Sequence, residues 1–246
     1  MSIFALGVLF LLFGGPALAI LLGDVHLGGS WRTASHAPTG IAPDPTTTPE
    51  AVLQVYGART YGIRGALGVH TWIAVKPRNA SHFTVYEVIG WRHYHGQPVV
   101  SVSSRAPDGR WFNSEPEVYL DMRGPEVDAV IDKVIDAVER YPYANDYQVW
   151  PGPNSNTFTA FVAREVPEMQ LDLPPTAVGK DFLPGGALVG ETPSGTGYQI
   201  SLLGLAGIML AVEEGLEVNI LGLTYGIDPF DFALKLPGLG RIGGGP

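Results

Sequence analysis

Near its N-terminus the chain contains a long stretch without a charged residue, from Ile3 to Leu22. A helix of about 20 residues extends about 30 Å, which matches the hydrocarbon thickness of a bilayer. We therefore expect residues 1–23 to form a transmembrane anchor or a signal helix, with the membrane as a partner. The segment Ala17-Leu18-Ala19 is similar to the end of a signal peptide, but no Lys or Arg precedes the stretch. Retention as an anchor is favoured, secretion after cleavage is the alternative, and the orientation is not specified.

The composition excludes several classes of protein. The chain has no cysteine, which excludes disulfides, zinc–thiolate sites and a cysteine nucleophile. Its net charge is −9 and it has no run of Lys or Arg, so nucleic acid is not an expected partner. No cofactor is expected.

Residues 24–50 are rich in Pro, Thr and Gly, which predicts a linker before a single α+β domain over residues 51–246. Five runs rich in β-branched and aromatic residues predict strands of one antiparallel sheet. They are Val52–Thr60, Val69–Val75, Phe83–Trp91, Pro98–Ser104 and Glu117–Met122.

Two helices are predicted to pack on this sheet. Residues Pro125–Arg140 carry one apolar stripe at helical spacing, with acidic residues elsewhere. The stripe consists of Val127, Val130, Ile131, Val134, Ile135 and Val138. A second, shorter helix is predicted over Ser155–Glu165, because Pro167 cannot continue it.

The remaining residues are less regular. Residues 166–197 are predicted to be loops, since they contain several Pro and Gly residues. Tyr198–Gly226 is apolar, and Glu213-Glu214-Gly215 indicates a turn, which favours a β-hairpin that completes the sheet. A second membrane span is the alternative, but three glutamates shorten its uncharged run to about 15 residues, which is short for a span.

Two histidines on one predicted strand face, His93 and His95, have a spacing that suits a metal ion. No third ligand has an evident spacing, and the turn Gly96-Gln97-Pro98 follows directly. An exposed hairpin end is therefore favoured over a metal site.

Polar residues open the second helix directly after a Pro-Gly turn, in the order Asn154-Ser155-Asn156-Thr157-Phe158. Asn154 or Ser155 can act as an N-cap that accepts from the first-turn amides. Alternatively, Ser155 is a nucleophile at the positive end of the helix dipole, where the same amides stabilise an oxyanion.

An earlier strand supplies a base for such a nucleophile. If the second and third predicted strands pair through a symmetric loop near Asn79, His70 and Glu87 are diagonal neighbours on one face. His70 would then be the base for Ser155, and Glu87 would orient it. The alternative is a half-buried histidine and a solvated glutamate with no role in catalysis.

A histidine strand followed by a helix that opens with N-C-x-x-F resembles circularly permuted papain-like proteins of the NlpC and lecithin:retinol acyltransferase types. Asn154-Ser155-Asn156-Thr157-Phe158 is similar to that motif, with Ser in place of the Cys nucleophile, and His70-Thr71-Trp72-Ile73 resembles the histidine strand. The resemblance implies a permuted papain-like fold. Because a hydroxyl is far less acidic than a thiol, the protein is either a serine enzyme or an inactive relative used for binding.

Longer segments resemble a bacterial family catalogued as domain of unknown function 3750. The segments are His70–Lys76, Trp150–Phe158, Gly179-Lys180-Asp181, Glu213–Asn219 and Leu234–Gly238. Within the first three, Asn154, Asn156, Trp72, Lys180 and Asp181 are candidate binding residues. For a bacterial protein, the uncharged segment Ile3–Leu22 predicts a location in the inner membrane with the domain facing the periplasm, the orientation being unspecified and secretion after signal cleavage being the alternative.

Three classes of function remain open. The first is a non-catalytic component of the cell envelope or of a membrane complex, with another membrane or envelope protein as partner. The second is a serine-dependent amidase, peptidase or acyltransferase that uses Ser155 and His70. The third is a lipid- or glycan-binding module.

Overall fold

The computed structural model describes residues 3–22, 25–28 and 30–244, and the predicted boundary between residues 23 and 24 lies outside them. The described part contains helices and two antiparallel sheets, so the fold class is α+β, as predicted. Its α-helices are α1 (Ile3–Leu21), α2 (Gly90–Tyr94), α3 (Val127–Glu139) and α4 (Ser155–Glu165).

Five strands form the first sheet, which we call the N-terminal sheet. They are β1 (Val52–Arg59), β2 (Val69–Lys76), β3 (Thr84–Val88), β4 (Val100–Ser104) and β5 (Glu117–Arg123). They follow the order β4-β3-β2-β1-β5 with antiparallel neighbours. Each predicted strand is present, but the third ends early because Gly90 opens α2. A Cβ at Gly90 would lie 2.3 Å from the ring of Tyr147, so only glycine allows this close approach.

Helices α3 and α4 cover one face of the N-terminal sheet. The stripe of α3 is buried there, with Val134 fully buried and Ile135 partly buried. Glu126 is the N-cap of α3, so Pro125 precedes the helix and does not open it. Helix α4 has the predicted bounds. The core between the two helices and the sheet therefore follows the apolar periodicity of the sequence.

The other face of the N-terminal sheet carries a second, aromatic cluster. Trp72 and Tyr56 lie in it, and Trp111 packs against it. The predicted linker lies against this side of the domain: a side-chain oxygen of Asp108 accepts from the amide of Gly40 at 2.6 Å. The amide of Ile41 donates to the same oxygen at 2.9 Å. Because Asp108 is buried, its carboxylate depends on these amides for its hydrogen bonds.

Seven strands form the second sheet, which we call the C-terminal sheet. They are β6 (Val189–Glu191), β7 (Gly197–Leu202), β8 (Ala206–Ala211), β9 (Gly215–Ile220), β10 (Leu223–Asp228), β11 (Ala233–Leu236) and β12 (Gly240–Gly243). Their spatial order is their order in the chain. The turn predicted at Glu213-Glu214-Gly215 joins β8 to β9. The prediction that this hairpin completes a single sheet is wrong, and residues 166–197, predicted as loops, contain β6.

Helix α1 packs against the body of the protein through its second half. A Cβ at Gly15 would lie 2.0 Å from the carbonyl oxygen of Pro237, in the turn between β11 and β12. Ala19 is buried in a small cluster with Val25 and Ala66. Among the helices of the described residues, none combines the length and the apolarity that crossing a membrane requires.

Candidate functional site

His70 and Glu87 form a buried pair on the aromatic face of the N-terminal sheet. His70 Nε2 lies 2.9 Å from Glu87 Oε2, and Arg105 Nη2 donates to Glu87 Oε1 at 3.2 Å. The register follows the symmetric loop near Asn79, because Ile73 pairs with Tyr86. The structure therefore brings together the two residues expected as base and orienter.

The surroundings of this pair stabilise the charged form of Glu87. Burial acts to raise the pKa of Glu87, but the hydrogen bonds and charges of His70 and Arg105 outweigh it and hold the pKa below its ordinary value. Trp111 stacks on the His70 ring with 3.8 Å between ring centroids, and Trp91 stacks on Trp111. The pair is thus enclosed by aromatic rings.

Ser155 lies on the other side of this sheet. It opens α4, whose Asn156 and Thr159 side chains bond to the Thr71 hydroxyl at 3.0 and 2.9 Å. Successive side chains of a strand point to opposite faces, so His70 points away from α4. The structure corrects the expected convergence of Ser155, His70 and Glu87, because the sheet lies between the pair and α4. The catalytic role of Ser155 stays a prediction, and it requires another base.

The start of α4 is a capping arrangement. The Asn154 side chain accepts from the amides of Asn156 and Thr157 at 3.0 and 3.1 Å, and the Thr157 hydroxyl accepts from the Asn154 amide. Nδ2 of Asn154 and Nδ2 of Asn156 both donate to the carbonyl of Val178. These bonds use the first-turn amides and fasten the helix to a neighbouring segment.

The other candidate binding residues are also buried. Trp72 is fully buried and its Nε1 donates to the carbonyl of Pro107 at 2.8 Å. Lys180 donates to Asp181 at 3.3 Å and makes a shorter bond to Glu217. Burial acts to lower the pKa of Lys180, but these carboxylates outweigh it and raise the pKa above its ordinary value. Their contacts indicate structural roles for these three candidates.

A cavity of about 290 Å³ lies beside the start of α4. Its lining consists of His93, Tyr143, Asp146, Tyr147, Gln148 and Pro153. None of the residues expected to bind or catalyse lines it. His93 lies on α2 and His95 at its C-cap, so the two do not share a strand face as expected. In the part of the chain that the structure describes, no three His, Asp or Glu residues form a group that suits a metal ion.

The C-terminal sheet has an unusual distribution of polarity that the sequence prediction missed. Most of its large inward residues are polar: Gln199, Ser201, Glu217, Asn219, Thr224 and Lys235 are all buried, beside the apolar Met209, Ala211 and Ala233. Its outward residues are apolar and exposed: Val189, Tyr198, Ile200, Leu202, Ile208, Leu210, Leu216, Val218, Ile220, Ile227, Leu234 and Ile242. We call this outward set the apolar face. The alternation is visible in the sequence, but apolar residues are expected to face inward.

The inward side chains join the C-terminal sheet to the rest of the domain. Lys235 Nζ donates to both oxygens of Asp172 at 2.7 Å and to Glu217 at 2.9 Å. Asn219 donates to Asp181 Oδ2 at 2.6 Å. The buried charges therefore have partners in this orientation of the sheet, and they would lose them in the reverse orientation.

Comparisons with known proteins name a family but no activity. A search of the curated proteins and a search of the solved structures found no match. A family model described as "Protein of unknown function (DUF3750)" matches residues 50–182. That range contains the N-terminal sheet, α3, α4 and the segment Gly179-Lys180-Asp181, and it ends before the C-terminal sheet. Because the match covers more than half of the 246 residues, the chain belongs to the DUF3750 family.

Proposed function

We propose that this protein is a non-catalytic component of the bacterial cell envelope or of a membrane complex, with the apolar face as its interaction surface. The part of the domain before the C-terminal sheet would be an inactive relative of permuted papain-like proteins, with Ser155 where those proteins carry cysteine. The proposal rests on one observation above all, which is the outward direction of the apolar side chains.

The size of the apolar face supports an interaction. Soluble monomers rarely expose a contiguous apolar patch above a few hundred Å², whereas the twelve outward side chains together expose on the order of 1,000 Å². Tyr198, Ile200 and Leu210 each expose more than 60 % of their surface. Such a face is unfavourable in water and favours an association that covers it.

The orientation of the sheet is fixed by its other side. Turning the sheet over would bury apolar residues but would expose or separate Glu217, Lys235 and their partners. Removing one partner of a buried ion pair costs about 3–5 kcal/mol, so the polar side holds the apolar side outward.

The location in the inner membrane, with the domain facing the periplasm, is part of this proposal. It rests on the uncharged stretch Ile3–Leu22. Ala19 is buried in a cluster with Ala66, and Gly15 lies close to Pro237, which favours retention of α1 over cleavage. Mass spectrometry of the membrane fraction tests this: an N-terminus at Ile20 would indicate a cleaved signal and a secreted protein.

The experiment that tests the interaction surface compares two aspartate substitutions. Leu210→Asp places a charge in the apolar face, whereas Tyr94→Asp replaces an exposed side chain on α2. We expect both variants to stay folded, since neither side chain is buried within the domain. On native gels of gently solubilised membranes, only Leu210→Asp should shift to a smaller assembly. An unchanged assembly in Leu210→Asp would contradict the proposed surface.

A serine-dependent amidase, peptidase or acyltransferase is the catalytic alternative. The proposal expects no labelling of the wild type by a fluorophosphonate probe, since Ser155 and His70 are separated by the sheet. Labelling that disappears in Ser155→Ala, with the fold intact, would overturn the non-catalytic proposal.

Glycan binding is a second candidate function, and the cavity beside α4 favours it. Two tyrosines, Tyr143 and Tyr147, line that cavity together with Asp146 and Gln148. Aromatic rings beside hydrogen-bonding groups suit a ligand with both apolar and hydroxyl surfaces. Titration with envelope-derived oligosaccharides, followed by amide NMR shifts at these four residues, tests it, and Asp146→Ala should weaken any binding found.

A further inference from the structure

We infer that the occupant of the apolar face is a second copy of this chain, with the two C-terminal sheets packed face to face. The inference rests on the proposed function and names the partner of the same surface. The dimer is symmetric. A lipid bilayer or a different protein as the occupant of the apolar face would contradict it.

The apolar face is built from rows that run across the strands. Paired residues of antiparallel strands point to the same face, so the observed register defines the rows. The central row runs through Val189, Ile200, Ile208, Val218 and Tyr225. The next row runs through Tyr198, Leu210, Leu216, Ile227, Leu234 and Ile242. On the other side lie Leu202, Ala206, Ile220 and Leu223.

These rows form a surface that suits the inner face of a β-sandwich. Two sheets in a sandwich lie about 10 Å apart, and their inward side chains interdigitate. Branched side chains such as Ile208 and Val218 in adjacent strands are typical of such inner faces. A twofold dimer uses the same patch on both copies, so one broad apolar sheet face is sufficient for it.

The area of the apolar face matches what a stable dimer requires. A standard interface buries about 800 Å² on each partner, and homodimer interfaces are more apolar than transient ones. The apolar face exposes on the order of 1,000 Å², which meets this requirement without any contribution from the rest of the chain.

The distribution of charge favours a second copy over an anionic lipid surface. Strands β7 to β11, all of which are described, place no charged side chain on the apolar face. Carboxylates lie around it instead, with Glu191 on the edge strand and Glu213 in the turn after β8. With a net charge of −9 and no basic cluster, the chain lacks the attraction that anionic lipids offer to basic proteins.

A twofold axis that crosses the strands along the central row keeps the acidic turns apart. Such an axis places the end of the sheet that carries Glu213 over the opposite end of the partner sheet. It also places Val218, on the middle strand β9, opposite Val218 of the second copy. Each residue of the central row then faces its own counterpart across the axis, and Val218 is the one on the middle strand.

The absence of native cysteines allows a direct test, because an introduced cysteine is the only thiol in the chain. Full-length Val218→Cys in isolated membranes is treated with a short bismaleimide, and Tyr94→Cys, exposed on α2, is the matched control. We expect a covalent dimer on denaturing gels for Val218→Cys and none for Tyr94→Cys. Adding Leu210→Asp to Val218→Cys should remove the dimer.

Other outcomes overturn the inference and separate it from the proposed function. No adduct, or an adduct with a different protein identified by mass spectrometry, excludes the second copy as occupant. If purified wild type then floats with phosphatidylcholine vesicles and full-length Leu210→Asp floats less, the occupant is lipid and the interaction surface stands. If Leu210→Asp changes neither crosslinking, flotation nor the native assembly, the inference and the proposed function both fail.

Discussion

The two sheets of this protein bury opposite kinds of side chain, although the strands of both alternate between apolar and polar residues. The N-terminal sheet is covered on both faces, by α3 and α4 on one and by the aromatic cluster on the other. The C-terminal sheet is covered on one face only, and that face is mostly polar. An alternating strand pattern therefore defines two faces but does not decide which one is buried.

The reason lies in the partners that each face meets. Ile73 of the N-terminal sheet packs in the apolar core beneath α3 and α4, so its face is buried by the hydrophobic effect. The inward face of the C-terminal sheet instead meets Asp172, Lys180 and Asp181, which lie in the segment before the sheet. Charged partners select the polar face, and the apolar face is left outward.

The largest expected effect separates a buried apolar position from an outward one. Val134→Asp places an unpaired charge beneath α3, where Val134 is fully buried, and should unfold the domain. Leu210→Asp introduces the same charge on the apolar face and should leave the domain folded, although the loss of a partner lowers its unfolding temperature. Circular dichroism melting curves of both variants measure this. A folded, wild-type-like Val134→Asp would contradict this expectation, because the core of the N-terminal sheet would then lie elsewhere.

The next effect compares two neighbours on β9. Glu217→Ala leaves Lys180 and Lys235 without a shared carboxylate in a buried site, which should cost about 3–5 kcal/mol of unfolding free energy. Val218→Ala removes part of an outward side chain and should cost well below 1 kcal/mol in the monomer. Urea denaturation of both variants provides the values. Equal losses would show that the polar side of the sheet does not hold it in place.

Much of the N-terminal part could be predicted from the sequence because its signals are local. The stripe of α3 has helical period, and Asn154 and Phe158 define the start of α4. The register near Asn79 followed from a symmetric loop, and Asn79 adopts the left-handed backbone conformation, with φ of 61°, that turns favour in asparagine.

The rest depends on contacts that the sequence does not reveal locally. Gly90, at the start of α2, packs closely against the ring of Tyr147, which lies far along the chain. The position of Ser155 relative to His70 depends on which face of β2 meets α4, and a shift by one residue reverses it. The inward direction of Glu217 depends on its ion pair with Lys180, which lies 37 positions earlier in the chain.

A smaller effect tests the capping arrangement on the helix-covered face of the N-terminal sheet. Asn154→Ala removes the side chain that accepts from two first-turn amides, which should cost about 1–2 kcal/mol of unfolding free energy. Ser155→Ala, one residue later, should cost less, since Asn154 already supplies the cap. Urea denaturation compares the two. The opposite ranking would indicate that Ser155, and not Asn154, accepts the hydrogen bonds that the first-turn amides of α4 donate.

The smallest effect concerns the pair on the aromatic face and depends on pH. The pKa of Glu87 is lower in the folded protein than its ordinary value of 4.5, so the folded state favours the carboxylate. The stabilisation is present above pH 4.5 and is lost as the pH falls through the lower, folded pKa. Glu87→Gln keeps one acceptor oxygen, enough for His70 or Arg105 but not for both, and it cannot ionise. It should therefore be less stable than the wild type at pH 7, by about 1 kcal/mol, and should approach the wild type in acid. Urea denaturation at pH 7 and pH 3 measures the difference, and Glu117→Gln, at an exposed carboxylate on β5, is the control. A stability gap that stays constant between the two pH values would show that the pair is held by packing against Trp111 and not by the charge of Glu87.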